Sequence, residues 1–153
     1  MSIPFWCVLI SAVLIYLARM PVTTAMKEQG GYDNHLPRQQ QAQLTGLGAR
    51  AVAAHQNSFE AFMLFAVGVL MAHTTQTAGW LIDGLAIIFV ITRVIYLVCY
   101  WKDLAWQRSL VWLVGLICSL LLMISPTFSN EIALATFFKA KENPHLAGFL
   151  LSR

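Results

Sequence analysis

The chain has 153 residues, of which 58% are hydrophobic and only 11% are charged, and its mean hydropathy is +0.65. A soluble domain is about one quarter charged, so this composition excludes an ordinary soluble protein and predicts a membrane protein. The formal net charge is +3. Because the Lys and Arg residues cluster near the ends of apolar segments, we assign them to orientation in the bilayer and not to nucleic-acid binding.

The first apolar segment runs from about Ile3 to Ala18 and is followed by Arg19. A signal peptide carries its positive charge before the apolar run and a small-residue cleavage site after it. This segment lacks both features, so we expect a retained first span. It is slightly short for a hydrocarbon core of roughly 30 Å, and residues 20–22 can lengthen it.

Residues 20–48 form the only long polar stretch, with a pair of glycines and a run of three glutamines. We expect a solvated loop that leads into the second helix. The alternative is that Lys27, His35 or Arg38 reaches a bound ligand.

The second span is predicted as one helix from about Arg50 to Ala72. Along it, Arg50, Asn57 and Glu60 fall within a sector of roughly 80°. His55 lies roughly 140° from Arg50 and is expected to point elsewhere. Charged and amide side chains on one face at a bilayer surface are costly unless something polar meets them.

The third span is predicted from about Trp80 to Trp101, with a tryptophan at each interfacial belt. It contains Arg93, and an arginine inside the bilayer costs about 2.5–3.5 kcal/mol. We therefore expect Arg93 to face the bundle interior and to have a partner, most simply Glu60. Two tyrosines follow Arg93 on the same face, Tyr96 and Tyr100.

The fourth span is predicted from about Ser109 to Ser125, ending at Pro126. Gly115 and Ser119 form a small-residue pair suited to close helix packing. The segment 127–153 has weak periodicity and is expected to be an interfacial or loosely ordered tail, to which we assign no function. The three cysteines each lie within an apolar run and are expected to be buried apolar residues, not a disulfide or metal set: Cys7, Cys99 and Cys118.

The predicted fold class is all-α, an integral membrane four-helix bundle with up-down topology, with a transmembrane domain at 1–126 and a tail at 127–153. The loop at 73–79 carries no Lys or Arg, whereas the loops on the other side carry six such residues: Arg19, Lys27, Arg38, Arg50, Lys102 and Arg108. By the positive-inside rule, loops one and three face the cytoplasm and both termini lie on the opposite side.

Hydrogen-bond donors outnumber carboxylates on the predicted polar face. The donors are Arg50, Asn57, Arg93, Tyr96, Tyr100 and Arg108, and the single carboxylate is Glu60. A surplus of donors in a partly dry cleft predicts a site for an anionic, carboxylate-rich ligand. The alternative is purely structural: the polar residues hold the helices together, and the tyrosines belong to the interfacial belt.

These residues resemble the sequence motifs of the MAPEG family, membrane-associated proteins in eicosanoid and glutathione metabolism. The second span carries R-(x)6-N-x-x-E, and the third carries R-x-x-Y-x-x-x-Y, followed by an arginine that opens the fourth. The resemblance covers about residues 1–126. The matching residues are Arg50, Asn57, Glu60, Arg93, Tyr96, Tyr100 and Arg108.

The resemblance implies a homotrimer that binds glutathione as co-substrate between neighbouring subunits, with a lipophilic substrate arriving from the membrane lipid. It also implies that Arg108 stabilises the thiolate, since a neighbouring guanidinium lowers the pKa of a thiol, while the other six motif residues line the glutathione site. The implied function is a membrane-bound glutathione-dependent transferase or peroxidase acting on hydrophobic electrophiles or lipid hydroperoxides.

The alternative function is a non-enzymatic lipid-binding or scaffold membrane protein on the same fold. Ala53 occupies the position where leukotriene- and prostaglandin-forming members have a second arginine, three residues after Arg50, and this favours the alternative. A small transporter has little support, because the sequence shows no internal repeat or broken span.

Overall fold

The computed structural model describes residues 1–142, and their secondary structure is helical without any strand, so the all-α prediction is confirmed. The helices are α1 (Ile3–Ala18), α2 (Met20–Glu28), α3 (Pro37–Ala42), α4 (Gly46–Thr74), α5 (Trp80–Trp101) and α6 (Ala105–Glu142). The predicted bounds of the third span agree with those of α5.

Three segments of the described chain are long and apolar enough to cross a membrane. They are Ile3–Glu28, which joins α1 and α2, then Trp80–Trp101, and Ala105–Phe128 within α6. Helix α4 has 29 residues, but it is not among the three, because its first half carries the polar residues of the predicted site. The predicted second span, which lies on α4, and the up-down four-helix bundle therefore stay predictions.

Helix α4 packs against α1, α5 and α6, and the apolar core lies between these four helices. At its centre the rings of Phe65 and Phe89 stack, with centroids 3.9 Å apart and planes at 8°. A Cβ on Gly68 would lie 3.0 Å from the Ser119 carbonyl oxygen, so this glycine brings α4 directly against α6. Ser119 is buried there, and the predicted close packing at this small residue is confirmed.

The predicted loop at 20–48 is wrong for most of its length, because α2 and α3 form within it. The proline in the first turn of α2, Pro21, cannot continue the hydrogen-bond ladder of α1, so the chain turns at Arg19 and starts a new helix. Val22 and Met26, four residues apart, are buried against Leu44 at the entry to α4. This buried stripe on one side of α2 explains why the segment is not a solvated loop.

The predicted fourth span, about Ser109 to Ser125, lies within the membrane-long segment Ala105–Phe128. The expected stop at Pro126 is wrong, since α6 continues through this proline to Glu142. A proline in a helix removes the N–H that would bond the carbonyl four residues earlier, here that of Leu122. The Ser125 hydroxyl donates to this same carbonyl at 2.8 Å. The serine therefore replaces the missing donor, and the helix can pass the proline. The rest of the predicted tail, 143–153, lies outside the described residues.

All three cysteines are buried within the helices, as predicted. Cys7 and Cys118 belong to the core around Phe65, and Cys99 is buried on α5.

Candidate ligand site at the junction of α4, α5 and α6

Arg93 lies at the centre of the polar side chains. Its side chain is buried, with 5% of its surface exposed, and its Nη1 donates to Oδ1 of Asn57 on α4 at 3.4 Å. Its Cζ lies 4.5 Å from the ring centroid of Tyr96 and 5.5 Å from that of Phe89. The prediction that Arg93 faces the interior and has a partner is confirmed.

The predicted ion pair between Glu60 and Arg93 is wrong. The Nδ2 of Asn57 donates to Oε2 of Glu60 at 3.2 Å, and the Oδ1 of Asn57 accepts from Arg93. Asn57 therefore stands between the two charges. The reason is the position of these residues along the helix axes. Asn57 and Glu60 are three residues apart on α4, nearly one helical turn, and Arg93 on α5 lies beside the turn that carries Asn57.

Gly115 on α6 makes room for the Arg93 guanidinium. A Cβ at this position would lie 2.9 Å from Nη2 of Arg93 and 2.9 Å from Oγ1 of Thr92. Gly115 therefore serves side-chain placement on α5 as much as helix packing. The predicted small-residue pair pointed to this glycine, but it could not show which atoms the glycine accommodates.

The contacts from Glu60 through Asn57 to Arg93 form a row of polar side chains that we call the polar stripe. Two aromatic contacts continue this stripe along α5 to the start of α6. The rings of Tyr96 and Tyr100 meet edge to face, with centroids 5.1 Å apart. The Cζ of Arg108 lies 4.5 Å from the ring centroid of Tyr100. Arg108 is thus held beside the other motif residues through a cation–π contact.

Arg50 reaches the same end of α5 from the start of α4. Its Nε donates to the Tyr100 carbonyl oxygen at 3.1 Å, and its Nη1 lies 3.3 Å from Oδ2 of Asp103. Asp103 was not among the residues predicted from the sequence. The available signal was that Asp103 is the only acidic residue between the third and fourth predicted spans.

A cavity of about 100 Å³ opens where Asn57, Glu60 and Arg93 meet Trp112 of α6. Ligand pockets for small molecules measure about 300–1,000 Å³, so the described part of the chain does not enclose a ligand of that size here. The buried Nε of Arg93 has no hydrogen-bond partner within the described chain. Glu60 is exposed at the edge of the cavity, which opens the site outward.

His55 does not belong to this group, as predicted. Its Nδ1 contacts the Ile15 carbonyl oxygen of α1 at 2.9 Å, on another side of α4. The seven predicted site residues are instead linked by the contacts described above, in the order Glu60, Asn57, Arg93, Tyr96, Tyr100, then Arg50 and Arg108 around Tyr100. Three guanidinium groups face two carboxylates in this stripe, those of Glu60 and Asp103, so it favours an anionic ligand.

Comparison with known families supplies the context for this stripe. The chain matches the family model described as MAPEG family over residues 3–128. Neither the curated proteins nor the solved structures include a match to the chain. The match covers most of the chain, including every residue of the stripe. The chain therefore belongs to the MAPEG family and is a membrane protein of this glutathione and eicosanoid metabolism family.

Proposed function

We propose that the protein is a membrane-bound glutathione-dependent transferase or peroxidase that acts on hydrophobic electrophiles or lipid hydroperoxides. The observation that carries the proposal is the contact between Arg93 and Asn57, because it joins the polar stripes of α4 and α5 into one donor-rich surface. Family membership agrees with a role in glutathione or eicosanoid metabolism.

The donor set fits glutathione, a tripeptide with two carboxylates and one amine. The guanidinium groups of Arg50 and Arg93 supply donors for carboxylates, and the unpartnered Nε of Arg93 is one such donor. Glu60 supplies an acceptor for an ammonium group. Asn57, Tyr96 and Tyr100 complete the proposed binding set.

Glutathione supplies a thiol whose deprotonated form is the nucleophile. Arg108 stabilises this thiolate, since a guanidinium beside a thiol lowers the thiol pKa from about 8.5. Each pKa unit corresponds to about 1.4 kcal/mol of preference for the charged form. Tyr100 holds Arg108 in place through the ring contact.

A homotrimer supplies the rest of the binding site in this proposal. The cavity of about 100 Å³ is smaller than a tripeptide requires, and its exposed edge at Glu60 can be closed by a neighbouring subunit. The lipophilic substrate enters from the bilayer at the same boundary. Loops one and three, with their Lys and Arg residues, lie on the cytoplasmic side.

Calorimetric titration of the purified protein in neutral detergent tests the binding step. Glutathione and S-methylglutathione are both expected to release saturable heat at millimolar concentration. Only glutathione should give turnover with a chromogenic electrophile, because the methylated analogue has no free thiol. Light scattering on the same sample gives the number of subunits. Neither heat nor turnover at millimolar glutathione would exclude the proposal.

A second candidate function is a non-enzymatic lipid-binding or scaffold protein on the same fold. The observation that favours it is Ala53, which supplies a methyl group on α4 where related enzymes have a second arginine. Binding of lipid without any response to glutathione would select this candidate.

A further inference from the structure

A second groove lies on the other side of α4 from the proposed glutathione site. It has a volume of about 330 Å³ and is bounded by the α1–α2 junction, α3 and the first half of α4. We call it the α2–α3 groove, and it is defined by Arg19, Arg38, His55, Val22, Val52 and Phe59. None of the residues that line it belongs to the glutathione motifs, so a ligand in this groove is independent of the proposed glutathione site.

The charge of the α2–α3 groove is entirely positive. Arg19 and Arg38 line it, and no Asp or Glu does. Among the side chains that the structure describes, the one ion pair joins Arg50 and Asp103, so no described carboxylate pairs with either groove arginine. Two guanidinium groups on one concave surface without an acid favour a bound anion, and guanidinium geometry suits phosphate oxygens.

The turn between α1 and α2 orients His55 in this groove. The Arg19 amide bonds to the Tyr16 carbonyl oxygen at 3.1 Å, so it does not bond to Ile15, its partner in a regular α-helix. The Ile15 carbonyl accepts from His55 Nδ1 instead, at 2.9 Å. Nδ1 must carry the proton in this contact because a carbonyl only accepts. The ring is thereby fixed, and its Nε2 remains for a second partner.

The groove also has an apolar wall and lies at the edge of the membrane-spanning region. Val22, Val52 and Phe59 line it beside the arginines. Arg19 directly follows Ala18, the last residue of the apolar helix α1, and begins the more polar part of the segment Ile3–Glu28. We infer that hydrocarbon gives way to headgroups at this boundary. A free phosphate ion gains nothing from apolar side chains, whereas a lipid buries its glycerol backbone and first methylenes against them.

We propose that the α2–α3 groove binds the headgroup of an anionic phospholipid. Arg19 and Arg38 contact the phosphodiester, Nε2 of His55 contacts a hydroxyl of the headgroup, and the apolar wall contacts the glycerol backbone. Such a lipid connects α2 and α3 to α4 and holds the first loop against the bundle.

Native mass spectrometry of the full chain in neutral detergent tests this proposal. Phosphatidylglycerol and phosphatidylcholine with identical acyl chains are titrated separately, because both carry a phosphodiester and only the first is anionic. We expect phosphatidylglycerol to bind about tenfold more tightly, or more, given the contribution of each basic residue at a membrane surface. Equal binding of the two lipids to the wild-type protein would overturn the proposal without reference to any variant.

Two double variants with the same loss of charge locate the site. Arg19→Gln with Arg38→Gln should abolish the preference for phosphatidylglycerol. Lys27→Gln with Lys102→Gln removes two positive charges outside the groove and should retain it. Equal losses in both variants would show diffuse attraction to anionic lipid and would overturn the assignment.

Two competitors distinguish the chemical source of the anion. Inorganic phosphate and glutathione, each at millimolar concentration, should leave the bound phosphatidylglycerol in place. Displacement by inorganic phosphate would show that the groove binds free phosphate. Displacement by glutathione would show that the groove is part of the glutathione site. Either result would overturn the lipid assignment.

Discussion

Asn57 on α4 and Arg93 on α5 face each other, with Nη1 of Arg93 3.4 Å from Oδ1 of Asn57. The same amide donates to Glu60 through Nδ2. One carboxamide therefore connects a buried cation with a carboxylate at the edge of the site. Because Asn57 lies between them, Glu60 and Arg93 do not form an ion pair with each other, and each can form one with a ligand.

Replacing Asn57 by Ala should destabilise the protein by about 1–3 kcal/mol, because it leaves the buried Arg93 guanidinium without this acceptor. Glutathione binding should weaken in parallel. Thermal unfolding in detergent and calorimetric titration measure the two effects. Gln39→Ala, on the exposed side of α3, is the control and should change neither. An Asn57→Ala variant with wild-type stability would contradict the importance of the contact.

Replacing Gly115 by Ala should weaken glutathione binding and also destabilise the fold. The new Cβ would lie 2.9 Å from Nη2 of Arg93, the end of a flexible side chain that can move away, and 2.9 Å from Oγ1 of the short, buried Thr92 side chain. A misplaced binding group can reduce activity by up to about 100-fold, which should show in KM. Gly84→Ala on α5 is the matched control, since a Cβ at that position would have no atom within 4 Å. An unchanged KM in Gly115→Ala would show that Arg93 does not contact glutathione.

Replacing Arg108 by Ala should lower turnover at neutral pH while the fold remains intact. If the thiol pKa of glutathione rises by one unit, the fraction present as thiolate at neutral pH falls about tenfold. The value of kcat/KM should therefore fall at least about tenfold. Raising the pH should recover part of this loss, because hydroxide then forms the thiolate that the guanidinium no longer favours. Lys102→Ala removes an exposed charge from the same connection and should leave kcat/KM unchanged. Equal rates for wild type and Arg108→Ala at all pH values would exclude the proposed role.

Ser125 and Pro126 should be energetically coupled in α6. Ser125→Ala alone should cost about 1 kcal/mol, because the Leu122 carbonyl loses the donor that lies 2.8 Å away. In the Pro126→Ala background the restored backbone N–H takes that place, so the same serine substitution should cost almost nothing. A double-mutant cycle measured by thermal unfolding gives the coupling. Additive effects would contradict the replacement of the proline N–H by the serine hydroxyl.

The amino-acid sequence alone determined the helical class, the bounds of α5 and the side of each helix that carries polar residues. These properties are local: a helix turns about 100° per residue, so spacing sets the face. The free-energy cost of an arginine among apolar residues was enough to predict that Arg93 faces inward. The burial of the cysteines followed in the same way from their apolar surroundings.

Only the tertiary structure decided which polar groups meet. The relative height of α4 and α5 places Asn57, not Glu60, beside Arg93, and the turn after α5 brings Asp103 to Arg50. The spacing of residues along one helix does not determine the height of that helix relative to its neighbour. Likewise, α2 is held by burial against Leu44, and α6 passes Pro126 with a hydroxyl supplied by its neighbour. Pairing between elements depends on how their surfaces pack, and a periodic pattern along one element does not record it.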